Sequence, residues 1–314
     1  MRNTFSILML ATLAGCSSQP SVCDRACLIG LTDDYVAALV AGNPGNLPLS
    51  EPLIIVEDLK RIGIGDGLWK SGSGGPTAFS IHVPDAERQT AGWMGMLQSD
   101  GKPVLVAIRL RLEGGQIVEA EHITTPIRPE NLSRLETVRA GMLAELPSDR
   151  RTDSGQLIDI GERYYDALVE SNGSLAPFAE DCERHENGMI AAGPTAGAAP
   201  DVAGGPAIAR DCAGQLSSNV MNYIDAIENR RVFAADPVTG LVMGFSQFHH
   251  SMDFEPYEVT ALDGTKVIYG PDRFPFKPFD LPAAHIFKVG ADGRLHEIEA
   301  MGFLAPYNSQ TGWE

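Results

Sequence analysis

Most side chains that could transfer a proton near neutral pH lie in the second half of the sequence, which holds five of the seven histidines. Imidazole is the first candidate for a general acid or base because its ordinary pKa is closest to neutrality. We expect His249 or His250, at the end of a predicted strand, to take that role, with Glu299 as the orienting carboxylate. Arg184 would stabilise an anion with its permanent charge. These residues indicate acid–base catalysis.

Such groups need an enclosed pocket, because burial is what shifts a pKa toward the value that catalysis requires. Adjacent strand residues point to opposite faces, so only one of His249 and His250 can face a pocket. Further candidates for the pocket wall lie near these groups in the sequence or on neighbouring predicted elements: Glu186, Asn187, Tyr223 and His285. The alternative is that His249 and His250 form a solvent-exposed pair at a strand end.

Glu299 has a counterpart in the first half, Glu121, because both follow the same turn-and-strand pattern. A buried carboxylate is costly unless it is paired, so each of these two should have a partner. The alternative to a catalytic role is a structural salt bridge, with Arg109 or Lys288 as the cation.

Sequence motifs of serine hydrolases, zinc proteases, P-loop NTPases and haem proteins are absent. The glycine-rich stretch 63–67 lacks the strand–turn–helix pattern of a phosphate loop, so turn glycines explain it better. A net charge of −17 argues against nucleic acid as a partner, because an acidic surface repels phosphate. The remaining classes are catalysis without a cofactor or metal, and binding without chemistry.

The N-terminal residues have the pattern of a bacterial export signal. A short apolar run, 5–14, ends in Leu-Ala-Gly-Cys, which resembles the lipobox whose cysteine becomes acylated. We therefore expect a lipoprotein signal peptide at 1–15, a lipidated Cys16, and a polar tether at 16–23. The protein would be exported and anchored by lipid alone to the cell envelope, facing the periplasm or the outside. The alternative is an ordinary secretory signal with a chance cysteine.

The other four cysteines allow three disulfide pairings. Cys182 and Cys212 flank a loop rich in glycine and alanine, and we expect a disulfide between them. Cys23 and Cys27 are one helical turn apart, near the long end of disulfide geometry, and form the other candidate pair. A metal site there would need more ligands than that segment supplies.

The sequence contains an internal repeat with a long period. Moving the first half by 129 positions (164 minus 35) places Tyr35 on Tyr164, and six further identities follow without a gap. A period of this length indicates duplicated domains rather than a solenoid. The predicted divisions are a first domain at 24–125, a linker at 126–153, and a second domain at 154–314 with an insertion at 251–280.

Apolar periodicity and turn residues predict the elements within each domain. The predicted helices are 24–41, 130–145, 155–170 and 211–229. The predicted strands are 53–57, 77–83, 92–98, 104–112, 116–123, 231–235 and 241–249, with a closing hairpin at 284–300. Each domain begins with a helix and continues with strands that run mainly as antiparallel hairpins. This is an α+β fold.

Two pairs of segments carry a resemblance to a known family. Tyr-Val-Ala-Ala-Leu-Val at 35–40 matches Tyr-Tyr-Asp-Ala-Leu-Val at 164–169, and the strand end at 117–121 matches 295–299. With the order of elements, they resemble the nuclear transport factor 2-like superfamily, which includes ketosteroid isomerases, polyketide cyclases and several dehydratases. The resemblance covers most of the chain after residue 24. It implies two tandem cone-shaped domains, each a curved, mainly antiparallel sheet wrapped around helices.

The superfamily includes both enzymes and binding modules, so the resemblance implies a fold and transfers no catalytic residue. Our first hypothesis is a cofactor-free lyase, dehydratase or isomerase in the second domain, acting on a small hydrophobic substrate. The first domain would be a structural copy, and the aromatic insertion would be a lid or a satellite core. The rival is a non-catalytic ligand-binding or protein-interaction lipoprotein with a filled pocket.

The lipobox-like segment predicts that the mature chain begins at an acylated Cys16. Mass spectrometry of the membrane fraction should therefore identify an N-terminal peptide with lipid on Cys16. A Cys16→Ser variant should move to the soluble fraction. A soluble wild-type chain with another N-terminus would contradict the prediction.

Overall fold

The computed structural model describes residues 22–196, 208, 211–274 and 276–314. The predicted signal peptide, Cys16 and nearly all of the predicted tether lie outside these residues. Within the described ranges, no helix combines the length and apolar character needed to cross a membrane.

The first half of the chain is one helix followed by a sheet. Its helices are α1 (Arg25–Ala41) and the short α2 (Leu68–Ser71). Its strands are β1 (Leu49–Glu57), β2 (Lys60–Ile62), β3 (Gly72–Gly74), β4 (Ser80–Asp85), β5 (Thr90–Ser99), β6 (Lys102–Glu113) and β7 (Gln116–Pro126). The Asp24 side chain caps α1 by accepting from the Cys27 N–H, and Gly42 ends the helix in the left-handed conformation.

The second half repeats this order. After two 3₁₀ turns and the short α3 (Ala140–Leu143), its helices are α4 (Ser154–Val169) and α5 (Cys212–Ser217). Its strands are β8 (Phe178–Glu186), β9 (Met189–Ala192), β10 (Ala226–Asp236), β11 (Leu241–His250), β12 (Tyr257–Thr260), β13 (Lys266–Tyr269), β14 (Phe279–Val289), β15 (Leu295–Gly302) and β16 (Ala305–Pro306). The protein is therefore α+β, with curved mixed sheets and few helices.

The two large sheets have the same strand order and the same register. The first runs β2-β1-β7-β6-β5, with β4 and β3 both on β5; the second runs β9-β8-β15-β14-β11-β10. One pair in each sheet is parallel, β1 with β7 and β8 with β15, and the other pairs are antiparallel. Val56 lies opposite Glu121, and His185 lies opposite Glu299. The repeat in the sequence is therefore also a repeat in the topology.

The central strands of both sheets are buried on both faces. In β6, Val106 and Ile108 pack on the side of α1, while Leu105 and Ala107 between them pack in a core shared with the second sheet. That shared core also contains Met243 and other residues of the second sheet, and α4 packs on the far side of the second sheet. The layers thus follow the order helix, sheet, sheet, helix, which covers every apolar face.

Polar contacts join the two halves at the edges of the shared core. The Arg231 guanidinium donates to both carboxylate oxygens of Glu121 at 2.6 Å, and Arg25 pairs with Asp236 at 2.9 Å. Glu121 therefore has a salt-bridge partner, as expected, but that partner is Arg231. The predicted partner, Arg109, pairs instead with Glu119 of the neighbouring strand.

The predicted helix at 130–145 is wrong. The chain forms a 3₁₀ helix at Pro129–Leu135 and the short α3, with extended backbone at Arg139 between them. Leu135 and Met142, two apolar residues of this segment, nevertheless pack in the shared core. Arg139, between the two short helices, binds Glu183, Glu297 and Glu299, contacts that no sequence period reveals.

The predicted helix at 211–229 is also wrong beyond Ser217. The Ser218 hydroxyl donates to the Gln215 carbonyl, and Asn219 adopts positive φ, so the helix ends there. Ile227, placed on the helix by its apolar spacing, belongs to β10 and lies opposite Phe248. The insertion that follows β11 forms the β12–β13 hairpin and a satellite core of its own. Whether it also acts as a lid stays a prediction.

Both predicted disulfides are confirmed. Cys23, which precedes α1, is bonded to Cys27 in the first turn of that helix, and Cys182 of β8 is bonded to Cys212 of α5. The second bridge closes a long loop and holds α5 against the sheet.

Asp85 should be a point at which the two halves depend on each other. Its buried carboxylate accepts from the Ser154 hydroxyl at 2.8 Å and from the Ala235 N–H at 3.1 Å, both in the second half. Asp85→Ala leaves these donors unpaired, so we expect a loss of about 2–4 kcal/mol in the free energy of unfolding. Urea denaturation measures it, with exposed Asp34→Ala as the matched control. Equal stability of the two variants would refute the prediction.

Candidate functional site

A cavity that is partly open to solvent lies in the second half, between α4 and the second sheet. It encloses about 90 Å³, and most of its wall is apolar. The residues that line it come from α4, β8, β11, β14, β15 and the segment before β10: Tyr164, Leu168, Arg184, Glu186, Met221, Tyr223, Ile224, Phe248, His250, Leu281, Ala283, His285, Ala300 and Met301. Five of the eight residues predicted for the site are among them: Arg184, Glu186, Tyr223, His250 and His285.

Arg184 is a buried cation whose hydrogen-bond partners are neutral. Its side chain is 6% exposed; Nη1 donates to the Tyr164 hydroxyl and Nη2 to the Gln215 amide oxygen, each at 2.9 Å. The Nε has no hydrogen-bond partner among the described residues. Gln215 is fixed in turn, because its Nε2 donates to the Ala191 carbonyl at 3.0 Å. The cavity therefore contains a positive charge held in one orientation.

The disulfide between β8 and α5 explains how Gln215 reaches Arg184. Cys182 lies two residues before Arg184 in β8, and Cys212 lies one helical turn before Gln215 in α5. The bridge therefore fixes both members of the hydrogen bond relative to each other. Sequence reasoning predicted the bridge but not Gln215, because nothing in the pattern of α5 distinguishes this glutamine.

His285 lies in the centre of β14, surrounded by aromatic rings. It stacks on Phe287 with ring centroids 5.7 Å apart, and its Nδ1 lies 3.3 Å from the Tyr165 hydroxyl. Burial, with the positive charge of Arg184, lowers its pKa to about 3. His285 is therefore neutral at physiological pH.

His250 is the histidine of the predicted pair that faces the cavity. Its ring stacks on Phe279 with centroids 4.1 Å apart and lies 5.6 Å from the Tyr223 ring. Burial lowers its pKa to about 4, against the raising effect of Asp225 and Asp280. Its Nδ1 has no hydrogen-bond partner within the described part of the chain. A neutral imidazole with a free nitrogen can accept a proton from a ligand.

His249 and Glu299 point away from the cavity, which corrects the predicted pairing. His249 Nδ1 lies 2.8 Å from the carboxylate of Asp280, so its orienting partner is Asp280 rather than Glu299. Glu299 accepts from Arg139 at 3.2 Å, and burial raises its pKa to about 7 although Arg139 opposes the change. Strand alternation explains both positions, because Phe248 and Ala300, their neighbours, take the cavity face.

Asn187 and Lys288 also have structural roles. The Asn187 amide donates to the Gly302 carbonyl and accepts from the Gly302 N–H, each at 3.1 Å, which ties the end of β8 to β15. Lys288 donates to the backbone carbonyls of Ala144 and Thr239 and is not the partner of Glu299. Neither Asn187 nor Lys288 lines the cavity.

The first half shows what fills the equivalent space there. Tyr35, the counterpart of Tyr164, has its hydroxyl 2.9 Å from His122 Nε2, and His122 Nδ1 lies 3.0 Å from Glu57. Glu57 lies opposite His122 in the register of β1 and β7, just as Glu186 lies opposite Ala300 in β8 and β15. Alanine therefore stands where the first half has an imidazole, and Glu186 faces open space.

Comparison with known families finds a matching domain in the second half, but that family has no known activity. A family model described as a domain of unknown function (DUF8021) matches residues 150–302, just under half of the chain. All the cavity-lining residues lie within the matched segment. No curated protein matches the chain.

The buried His250 should make the protein acid-sensitive. Its pKa is about 4 in the folded chain, against 6.5 for a free side chain. The folded chain therefore binds a proton at His250 less tightly than the unfolded chain does. The resulting stability is present above about pH 6.5 and is lost as the pH falls toward 4, because only the unfolded chain takes up the proton. At about pH 5 the loss is on the order of 2 kcal/mol. Between pH 7 and pH 5, His250→Gln should therefore lose less stability than the wild type in urea denaturation.

His82→Gln is the control, since that residue lies at the surface of the first half. If the stability of His250→Gln falls with pH as steeply as that of the His82 variant, the prediction fails.

Proposed function

We propose that the second half is a small-molecule site that transfers a proton without a cofactor, as an isomerase, lyase or dehydratase does. The observation that carries the proposal is the convergence of two neutral histidines and one carboxylate on a mostly apolar cavity. A proton donor and acceptor with different environments face the same space there.

In this proposal, His250 is the general base or acid. His250 lies on the cavity wall, and its buried Nδ1 has no hydrogen-bond partner among the described residues. A pKa of about 4 makes it a weak base in the empty cavity. A ligand that carries or develops negative charge would raise this pKa toward neutrality, because an opposite charge favours the imidazolium. The proton would then move only when a substrate is bound.

Glu186 is the second proton-transfer group in the proposal. It replaces Glu299 in the role of the carboxylate, because Glu186 lines the cavity and Glu299 does not. His285 is too deeply enclosed by Tyr165 and Phe287 to ionise easily, and it would orient a ligand as a neutral donor or acceptor. Arg184 would stabilise negative charge on the substrate.

We further propose that each half is a nuclear transport factor 2-like domain in an exported lipoprotein. The shared order of helix, parallel strand pair and antiparallel hairpins supports the first part. The two disulfides support export, because such bonds persist in oxidising compartments. The cone-shaped form of the two domains belongs to this proposal.

The alternative is a binding protein without catalysis. The observation in its favour is that both cavity histidines have low pKa values, which makes each a poor base until a charged ligand arrives. The proposal and the alternative share the cavity and differ in whether a bound molecule exchanges a proton.

Hydrogen exchange in D₂O separates them. Vinylacetate, levulinate and acetylacetone are small carbon acids that serve as probes, and NMR follows deuterium uptake or isomerisation. We expect catalysis with at least one probe and a decrease of about two to four orders of magnitude in His250→Gln, the usual contribution of a general acid or base.

His249→Gln is the matched control, because His249 bonds Asp280 on the opposite face of β11. Full activity in His250→Gln would sink the assignment of the base. Binding of the probes with no exchange in the wild type would favour the alternative.

A further inference from the structure

We propose that Arg184 is the counter-ion of the ligand, so that the cavity takes a small organic carboxylate. This inference rests on the proposed site in the second half and names the class of molecule that enters it. The structural basis is a guanidinium that is buried without a carboxylate partner.

Two other arginines of this protein, which are only partly buried, are paired with carboxylates. Arg231 pairs with Glu121 and Arg139 pairs with Glu299. Arg184 is more buried than either, yet its hydrogen bonds run to a hydroxyl and an amide. A buried charge is costly unless it is paired. The charge of Glu186 offsets that of Arg184 in part, but no carboxylate is hydrogen-bonded to Arg184 among the described residues.

The guanidinium of Arg184 has one donor nitrogen, the buried Nε, that no described residue uses. Two of its nitrogens are held by Tyr164 and Gln215, which fix the plane of the guanidinium, and the third, Nε, is unbonded in the described structure. Arg184 lines the cavity, so a ligand can approach it. A guanidinium binds a carboxylate better than a single-point cation does, because its donors lie in one plane.

Glu186 is the one other charged side chain on the cavity wall and must be considered. It is half-buried, whereas Arg184 is fully enclosed, and it is not a hydrogen-bond partner of Arg184 among the described residues. Its charge is therefore better screened by solvent than that of Arg184. Glu186 would repel part of a bound anion, which makes it a useful variant.

The shape of the cavity limits the ligand to a short or flat acid. The volume is about 90 Å³, and the wall beyond Arg184 is formed by Leu168, Phe248 and Leu281. A suitable ligand would place its carboxylate on Arg184. Its apolar tail would pack against these three side chains.

Binding of isosteric acid and amide pairs tests the inference without any need for turnover. Butyrate with butyramide and benzoate with benzamide are the probes, titrated into the full chain by NMR and calorimetry. We expect the acids to bind about 10- to 100-fold more tightly than the amides. Arg184→Met should abolish that preference, and exposed Arg61→Met should keep it.

Gln215→Glu is the sharper variant, because it places a carboxylate where the Arg184 Nη2 now meets an amide oxygen. This internal counter-ion should lower the affinity for butyrate by about 10-fold or more while the fold is kept, as a thermal melt would show. Glu186→Gln should leave the affinity for acids unchanged or increase it.

The outcomes separate this inference from the proposed function. Equal binding of acids and amides, no binding of either acid, or unchanged preference in both Arg184→Met and Gln215→Glu would overturn the carboxylate assignment. None of these results depends on proton exchange. Acid binding that requires Arg184, without exchange of any probe, would leave the assignment standing and would count against catalysis.

Discussion

The structure depends on one constraint: both faces of each large sheet are apolar and must be covered. In β6 the alternation of Ile108 and Ala107 sends side chains to two different cores, and the central strands of the second sheet do the same. A helix covers one face and the other sheet covers the opposite face. The cavity lies on the helix side, between α4 and the second sheet, whereas Met243, Phe245 and Ile286 pack in the core on the shared side.

The two halves share one arrangement of helix and sheet, but different side chains fill the space between them. In the first half, Glu57, His122 and Tyr35 form a continuous hydrogen-bonded chain through the space between helix and sheet, and Trp69 packs against the tyrosine. In the second half, the tyrosine and the glutamate are kept, alanine stands in place of the histidine, and Arg184 occupies the position of Ile55. The first half therefore has a buried polar chain where the second half has an alanine and a buried arginine.

Much of the frame could be predicted from the sequence because it rests on local periodicity. The repeat, the helices α1 and α4, and the strands from β4 to β7 follow from apolar spacing and turn residues. The helix predicted across Val220 and Ile227 failed because apolar spacing does not distinguish a short helix from a buried strand. Arg139 shows the same limit, since its three carboxylate partners come from distant strands.

The site was predictable in its members and less so in its pairings. Strand alternation decided that one of His249 and His250 faces inward, but only the register of β11 with β14 decides which. The repeat predicts Glu299 as the orienting carboxylate, but the residue of β15 that lines the cavity at this point is its neighbour, Ala300. A comparison of the two halves position by position would have revealed the loss of an imidazole there. Gln215 could not be found, because its contact depends on a disulfide that folds a short helix back onto β8.

The face shared by the two sheets has an evolutionary consequence. A single domain of this kind would present that apolar face to solvent, and a second identical copy is the simplest cover for it. In such a homodimer every substitution occurs in both subunits at once. Joining the copies in one chain removes this symmetry, so that one half can keep a histidine for rigidity while the other exchanges it for alanine. Divergence of this sort lets a protein gain an open site without giving up the partner that holds its strands in place.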